Sequence, residues 1–84
     1  RLNANYPNPF NPVTTLPFTL KKAGLTILSI YDVLGKKIKV IFQGHLNAGS
    51  HKIRFDASEL ASGVYFYEIR SGDFSATREM ILMK

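Results

Sequence analysis

Turn signals recur along this chain at intervals of about ten residues, and no stretch between them carries helical periodicity. Lys21-Lys22-Ala23-Gly24, Asp32-Val33-Leu34-Gly35, Leu60-Ala61-Ser62-Gly63 and Ser71-Gly72-Asp73 each combine a glycine with turn-forming neighbours, and a further loop runs over residues 43–49 with a glycine at each side. The runs between them are short and rich in β-branched and aromatic residues, the composition of strands. With 84 residues the chain can bury one hydrophobic core and not two. These features predict a single all-β domain, an antiparallel β-sandwich of about seven strands.

Residues 60–69 show the pattern most fully. Gly63 can take a positive φ without steric cost and so can swing the chain into the strand that follows. Alternation puts Tyr65, Tyr67 and Ile69 on one uncharged face, assigned to the core, and Val64, Phe66 and Glu68 on the other. Tyr65, just past the turn, is similar to the tyrosine corner of immunoglobulin-like sandwiches, where the phenol caps a backbone group a few residues upstream. The other reading of Tyr65 is a large core residue with its polar tip in water. Asp32-Val33-Leu34-Gly35 has the chemistry of a type I turn, with Asp at the first position and Gly35 left-handed at the last.

The chain opens on a proline-rich lead-in, residues 1–12, ahead of the sandwich expected over 13–84. Tyr6-Pro7-Asn8-Pro9-Phe10-Asn11-Pro12 has three prolines in six residues, which excludes a helix and removes three ladder donors. The residues before them are pushed to extended or turn conformations. A stiff, partly polyproline-like segment folded onto its own domain through Tyr6 and Phe10 is predicted; a proline-rich ligand for another protein is the alternative. In residues 13–20, Pro17 argues for an edge strand. Residues 25–31, apolar on both faces, read as a central strand with Leu28 and Ile30 opposite Leu25, Ile27 and Tyr31. A hairpin leads to 36–42, a strand at 50–55 carries His51, Ile53 and Phe55 inward, and 56–62 is a bend with room for one helical turn capped by Asp56 or Ser58. The last strand covers 74–83. The expected core is Leu16, Phe18, Leu28, Ile30, Ile38, Val40, Ile53, Phe55, Tyr65, Tyr67 and Ile69.

The inventory for catalysis is thin. The absence of cysteine removes disulfides, thiolate metal sites and thiol nucleophiles together. His45 and His51 are the only imidazoles, too few for a metal centre, and a rim histidine satisfied by a backbone carbonyl accounts for them. The six carboxylates sit mostly in turns, no serine lies in a nucleophile elbow, and no glycine-rich cradle opens a helix. The chain therefore reads as non-catalytic, without cofactor or metal, and monomeric. Its net charge of +5 suits solubility and also permits an anionic partner. Were residues 36–42 and 50–55 to pair, Lys37 and Lys39 would share an outer face with Lys52 and Arg54; an anionic partner would offset their repulsion, and solvated they would guard the sheet against aggregation. Nucleic acid fits poorly, since no aromatics interleave with these cations. No apolar run approaches the roughly 20 residues that span a bilayer. A start at Arg1 reads as a segment of a longer precursor.

Four stretches, in this order, resemble the immunoglobulin-like (type A) C-terminal sorting domain of proteins exported by the type IX secretion system: 6–12 (YPNPFNP), 30–35 (IYDVLG), 48–51 (AGSH) and 60–67 (LASGVYFY). A related sandwich in flagellar hook-capping proteins shares the elements around Tyr31, Gly35, Gly63 and Tyr65. The resemblance implies a secretion signal that follows a larger secreted or cell-surface host. Its implied partners are the outer-membrane export machinery, a sortase-like protease, host domains on the N-terminal side and anionic lipopolysaccharide. The family's basic ending, a pattern like Lys-Lys-Met, corresponds here to Arg78-Glu79-Met80 with Lys84 last; Glu79 departs from it. The resemblance thus nominates Arg78 and Lys84, with Tyr6, Pro7, Asn8, Pro9 and Phe10, as recognition residues, and Tyr31, Gly35, Gly63 and Tyr65 as structural ones. The rival functions are a polysaccharide-binding module of a secreted glycoside hydrolase and a structural spacer. Phe66 is the one outward aromatic expected on the central strands, which weakens the polysaccharide reading.

Overall fold

Alternating apolar runs become strands wherever one face can be buried. The computed structural model describes residues 1–84 and contains six strands: β1 (Val13–Leu20), β2 (Gly24–Tyr31), β3 (Lys37–Leu46), β4 (Gly49–Asp56), β5 (Gly63–Ser71) and β6 (Phe74–Leu82). They form two antiparallel sheets, β1-β4 and β3-β2-β5-β6. Leu16, Phe18 and Leu20 from β1 and Phe55 from β4 meet Leu28, Ile30, Tyr67, Ile69, Met80 and Leu82 from the larger sheet. This is an immunoglobulin-like sandwich, and β2 lies centrally, as its two apolar faces predict.

The Asp32 hairpin forms as its residues dictate. Gly35 N–H donates to Asp32 O at 3.0 Å, and Asp32 Oδ1 accepts from the N–H groups of Leu34 and Lys36, each at 2.9 Å. Gly35 has φ 81°, and Gly63, the first residue of β5, has φ 155°. Tyr65 O–H donates to Ala61 O at 2.6 Å. The phenol therefore is a tyrosine corner, with its ring in the core.

The lead-in does what a seventh strand would do, without regular geometry. Tyr6 and Thr15 exchange both backbone bonds, at 3.0 and 2.8 Å, while Asn3 N–H donates to Pro17 O and Thr19 N–H to Arg1 O. The segment then bends at residues 7–9 and reaches the other sheet. Phe10 N–H donates to Ile81 O and Met83 N–H to Phe10 O, both at 2.9 Å, in a parallel bridge to β6. One segment thus closes the edge of β1 and the end of β6, and Leu2 and Phe10 enter the core. Bends, one of the two conformations expected of the residues before proline, take the place of the partly polyproline-like course.

Several expectations fail for identifiable reasons. Ile38 and Val40 are 38% and 40% exposed. The β2–β3 register shifts between Leu28 and Ser29, so Phe42 opposes Leu28 but Val40 opposes Ser29. The bulge turns Val40 to the outer face, and a second shift between Ile30 and Tyr31 leaves Ile38 without a partner between Lys37 and Lys39. Residues 43–46 continue β3 and are not loop. β3 and β4, though consecutive, lie in different sheets, so Lys37 and Lys39 do not share a ladder with Lys52 and Arg54. Residues 56–62 contain a turn closed by Leu60 N–H to Ala57 O and no helix. Asp56 still acts as a cap: its Oδ1 accepts from Ser58 N–H and from Ser58 Oγ, which holds its carboxyl below the usual carboxylate value.

Candidate recognition surface

Two sequence regions that end far apart in the chain meet along one seam. Pro17 is the reason the seam is more than a ladder. Opposite Asn3 it accepts from Asn3 N–H, but proline has no N–H to return. The vacant Asn3 carbonyl instead accepts from Tyr67 O–H at 2.7 Å, reaching across the core from β5. Burial pushes the Tyr67 phenol above its ordinary value of 10.0, against the opposing influence of the Asn5 backbone and the Arg78 charge. Beside it, Arg78 Nε donates to Leu2 O at 2.8 Å. Asn8 Oδ1 accepts from Ile81 N–H at 2.9 Å. Asn5 and Thr14, both buried, close the bend: Asn5 Nδ2 donates to Thr14 Oγ1 at 3.0 Å and Thr14 Oγ1 to Pro7 O at 2.9 Å.

The residues nominated from sequence are divided by this geometry. Tyr6, Pro7, Asn8 and Pro9 form an exposed ridge, Tyr6 being 45% exposed. Phe10 lies beneath it at 2% exposure, its ring tilted against Phe55 at 6.5 Å; it anchors the ridge and is not on the surface. Arg78 is exposed on β6 next to the lead-in. Lys84 follows Met83, whose N–H is bonded to Phe10 O, and turns away from the ridge: its N–H donates to Ser62 Oγ at 3.0 Å and its Nζ to Ser58 O, on the β4–β5 connection. Arg78 and Lys84 stand six positions apart, and Glu79 occupies the place where the Lys-Lys-Met pattern would put a second cation. Tyr31 and Gly35 frame the β2–β3 hairpin, and Gly63 and Tyr65 the corner into β5. The roles of Tyr67, Asn5, Asn8 and Leu2 in the seam were not foreseen. Pro17, which removes a donor from an edge, was the sequence signal for the Tyr67 bond.

No three of the His, Asp and Glu side chains come together. His51 stacks on Phe18 at 5.5 Å and its Nε2 donates to Asn47 O at 2.8 Å. On the outer face of the larger sheet Tyr31 lies directly opposite Phe66, so Phe66 is not the lone outward aromatic. Tyr31 O–H donates to Glu68 Oε1 at 3.0 Å. Burial and then the Glu68 carboxylate raise the Tyr31 phenol, and Glu68 in turn raises Arg70, its ion-pair partner. A cavity of about 640 Å³ opens at the end of the sandwich between the β1–β2 and β5–β6 turns, lined in part by Arg1, Lys21, Lys22 and Phe74.

The molecule is an immunoglobulin-like sandwich whose N-terminal lead-in is bonded to both sheets. The family model described as "Secretion system C-terminal sorting domain" matches residues 4–83, and the chain belongs to that family, the sorting domains of type IX secretion. Membership makes this domain a signal for export across the outer membrane, to the cell surface or the medium, joined to cargo on its N-terminal side. The family is not known as catalytic. No curated protein matches the chain.

Proposed function

We propose that residues 1–84 are one non-catalytic, monomeric C-terminal signal domain, read as a folded surface composed of the Tyr6–Pro9 ridge and the adjoining stretch of β6 from Arg78 to Ile81. The observation that carries this reading is the seam itself. Both regions nominated from sequence are held against each other by the Phe10 bonds to Ile81 and Met83, the Asn8 bond to Ile81 and the Arg78 bond to Leu2. A receptor in the outer-membrane machinery would meet proline, asparagine and arginine groups whose positions are already set, which lowers the ordering cost of binding. Removal by a sortase-like protease and transfer of the host to lipopolysaccharide belong to the same reading.

The test is export of a reporter carrying a signal peptide and residues 1–84, in a host with type IX machinery. The intact fusion reaches the surface or medium. Tyr6→Ala with Asn8→Ala, and separately Arg78→Ala, leave it in the periplasm while the purified domains stay folded. Normal export of both variants would remove the ridge and β6 from recognition; periplasmic retention of the intact fusion would contradict the sorting role. Lys84→Ala exports normally, since its Nζ is already engaged by Ser58 O on the β4–β5 connection. The Tyr31–Phe66 pair favours a second reading, a polysaccharide module, which binding of the purified domain to xylan or cellulose would support.

A further inference from the structure

The flank opposite the lead-in is built differently. β3 and β4 are the outer strands of their sheets there, and none of the backbone bonds outside the strands reaches their free edges. Five of the eleven lysines and arginines lie on or beside these strands: Lys36, Lys37, Lys39, Lys52 and Arg54. The only ion pair in the molecule is Arg70 with Glu68 on the outer face of the larger sheet, so none of the five has a carboxylate partner. Asp56, at the end of β4, is the nearby acid, and Arg54 and Lys39, from the two different sheets, both act on it. Asp56 is itself occupied by Ser58. Between Lys37 and Lys39 stands Ile38, and next to Lys39 Val40, both left outside the core by the two register shifts in β3.

Lysines on a strand edge serve to prevent self-association. That purpose asks for charge, but not for half-exposed isoleucine and valine interleaved with it. A strand with unpaired backbone groups, alternating basic and apolar side chains and no acid of its own is complementary to one kind of partner. We infer that the free edge of β3 is a docking site for an extended acidic segment of a partner protein, added as a further strand beside residues 36–42. Backbone bonds supply the register, Ile38 and Val40 the apolar contact, and Lys36, Lys37 and Lys39 the charge complementarity that steers association. This inference does not depend on the export role, and a protein that fails to sort can still show it.

The experiment is a titration of the isotope-labelled domain, at low salt, with a capped peptide of about eight residues alternating glutamate and valine, a length matched to an ordinary strand. Amide shifts are expected in residues 36–42, with little change along the lead-in or at the end cavity. Raising the salt from about 20 to about 200 mM weakens binding, because exposed charges are screened over a shorter distance. Lys37→Glu with Lys39→Glu lowers affinity by about tenfold or more, and that folded variant binds the lysine–valine counterpart of the peptide instead. No shift at all, shifts centred on the lead-in or end cavity, or undiminished binding after the charge reversal would each overturn the proposal. So would equal shifts over 36–42 from inorganic polyphosphate, which would make the flank a plain anion surface and not a strand acceptor.

Discussion

The two flanks of the sandwich meet the same problem in opposite ways. On one, an irregular proline-bearing segment crosses from β1 to β6, puts Leu2 and Phe10 into the core and satisfies edge carbonyls with side chains from the opposite sheet. On the other, β3 and β4 end with bare edges, lysines and half-exposed aliphatic residues. The difference teaches that prolines in a flanking segment do not make it a linker. Proline's missing donor at position 17 is what lets a core tyrosine bind the lead-in, so the least regular part of the chain is tied to its best-packed strand.

The largest expected effect separates the flanks by stability. Phe10→Ala removes a fully packed ring and should cost about 3–5 kcal/mol, enough to unfold most of a domain of this size. Val40→Ala, across the molecule, should cost under about 0.5–1 kcal/mol, because the side chain is already half in water. Urea denaturation of both variants checks the contrast; similar losses would show that the flanks are equally structural.

Next in size is the phenol of Tyr67. Tyr67→Phe keeps the ring but leaves Asn3 O without its donor, and should cost about 1–2 kcal/mol. The same group predicts an alkaline limit. Its folded value is raised by burial, so the folded domain keeps a proton that the unfolded chain releases. The contribution is intact below the ordinary value of 10.0 and is lost as pH rises through the folded value. Stability measured from neutral pH into the alkaline range should fall more steeply in the natural protein than in Tyr67→Phe.

Arg78→Ala gives the smallest effect on the sealed flank, about 0.5–1.5 kcal/mol for one hydrogen bond to Leu2 O. The thermal midpoint drops by a few degrees at most, and a larger loss would show that this arginine carries more of the seam than its single bond.

What was legible in the sequence is what local chemistry decides. Asp32 with Gly35, and Gly63 ahead of Tyr65, specify turns from a few consecutive residues, and the structure forms them. The inward alternation of Leu16, Phe18 and Leu20, and of Tyr65, Tyr67 and Ile69, follows from a period of two. Long-range choices were not legible. Nothing in residues 36–42 announces the bulge that turns Val40 outward, and adjacency in sequence suggested a β3–β4 pairing that the division into two sheets forbids. Phe10 offered itself equally to a receptor or to a core; only the meeting of the lead-in with Ile81 and Met83 decides for the core. The Tyr6–Pro9 ridge was visible as a motif, but its neighbour Arg78 became part of the same surface only through the fold.

Hydrogen exchange at individual amides tests the central claim, that the lead-in is an integral edge of the sandwich. The amides of Tyr6, Phe10, Thr15, Thr19 and Met83, all donors in the seam, should exchange as slowly as those of β2 and β5, opening only with the whole domain. Amides directed outward along the free edge of β3 should exchange far faster. Seam amides that exchange at the rate of an unstructured peptide, while β2 and β5 stay protected, would contradict it.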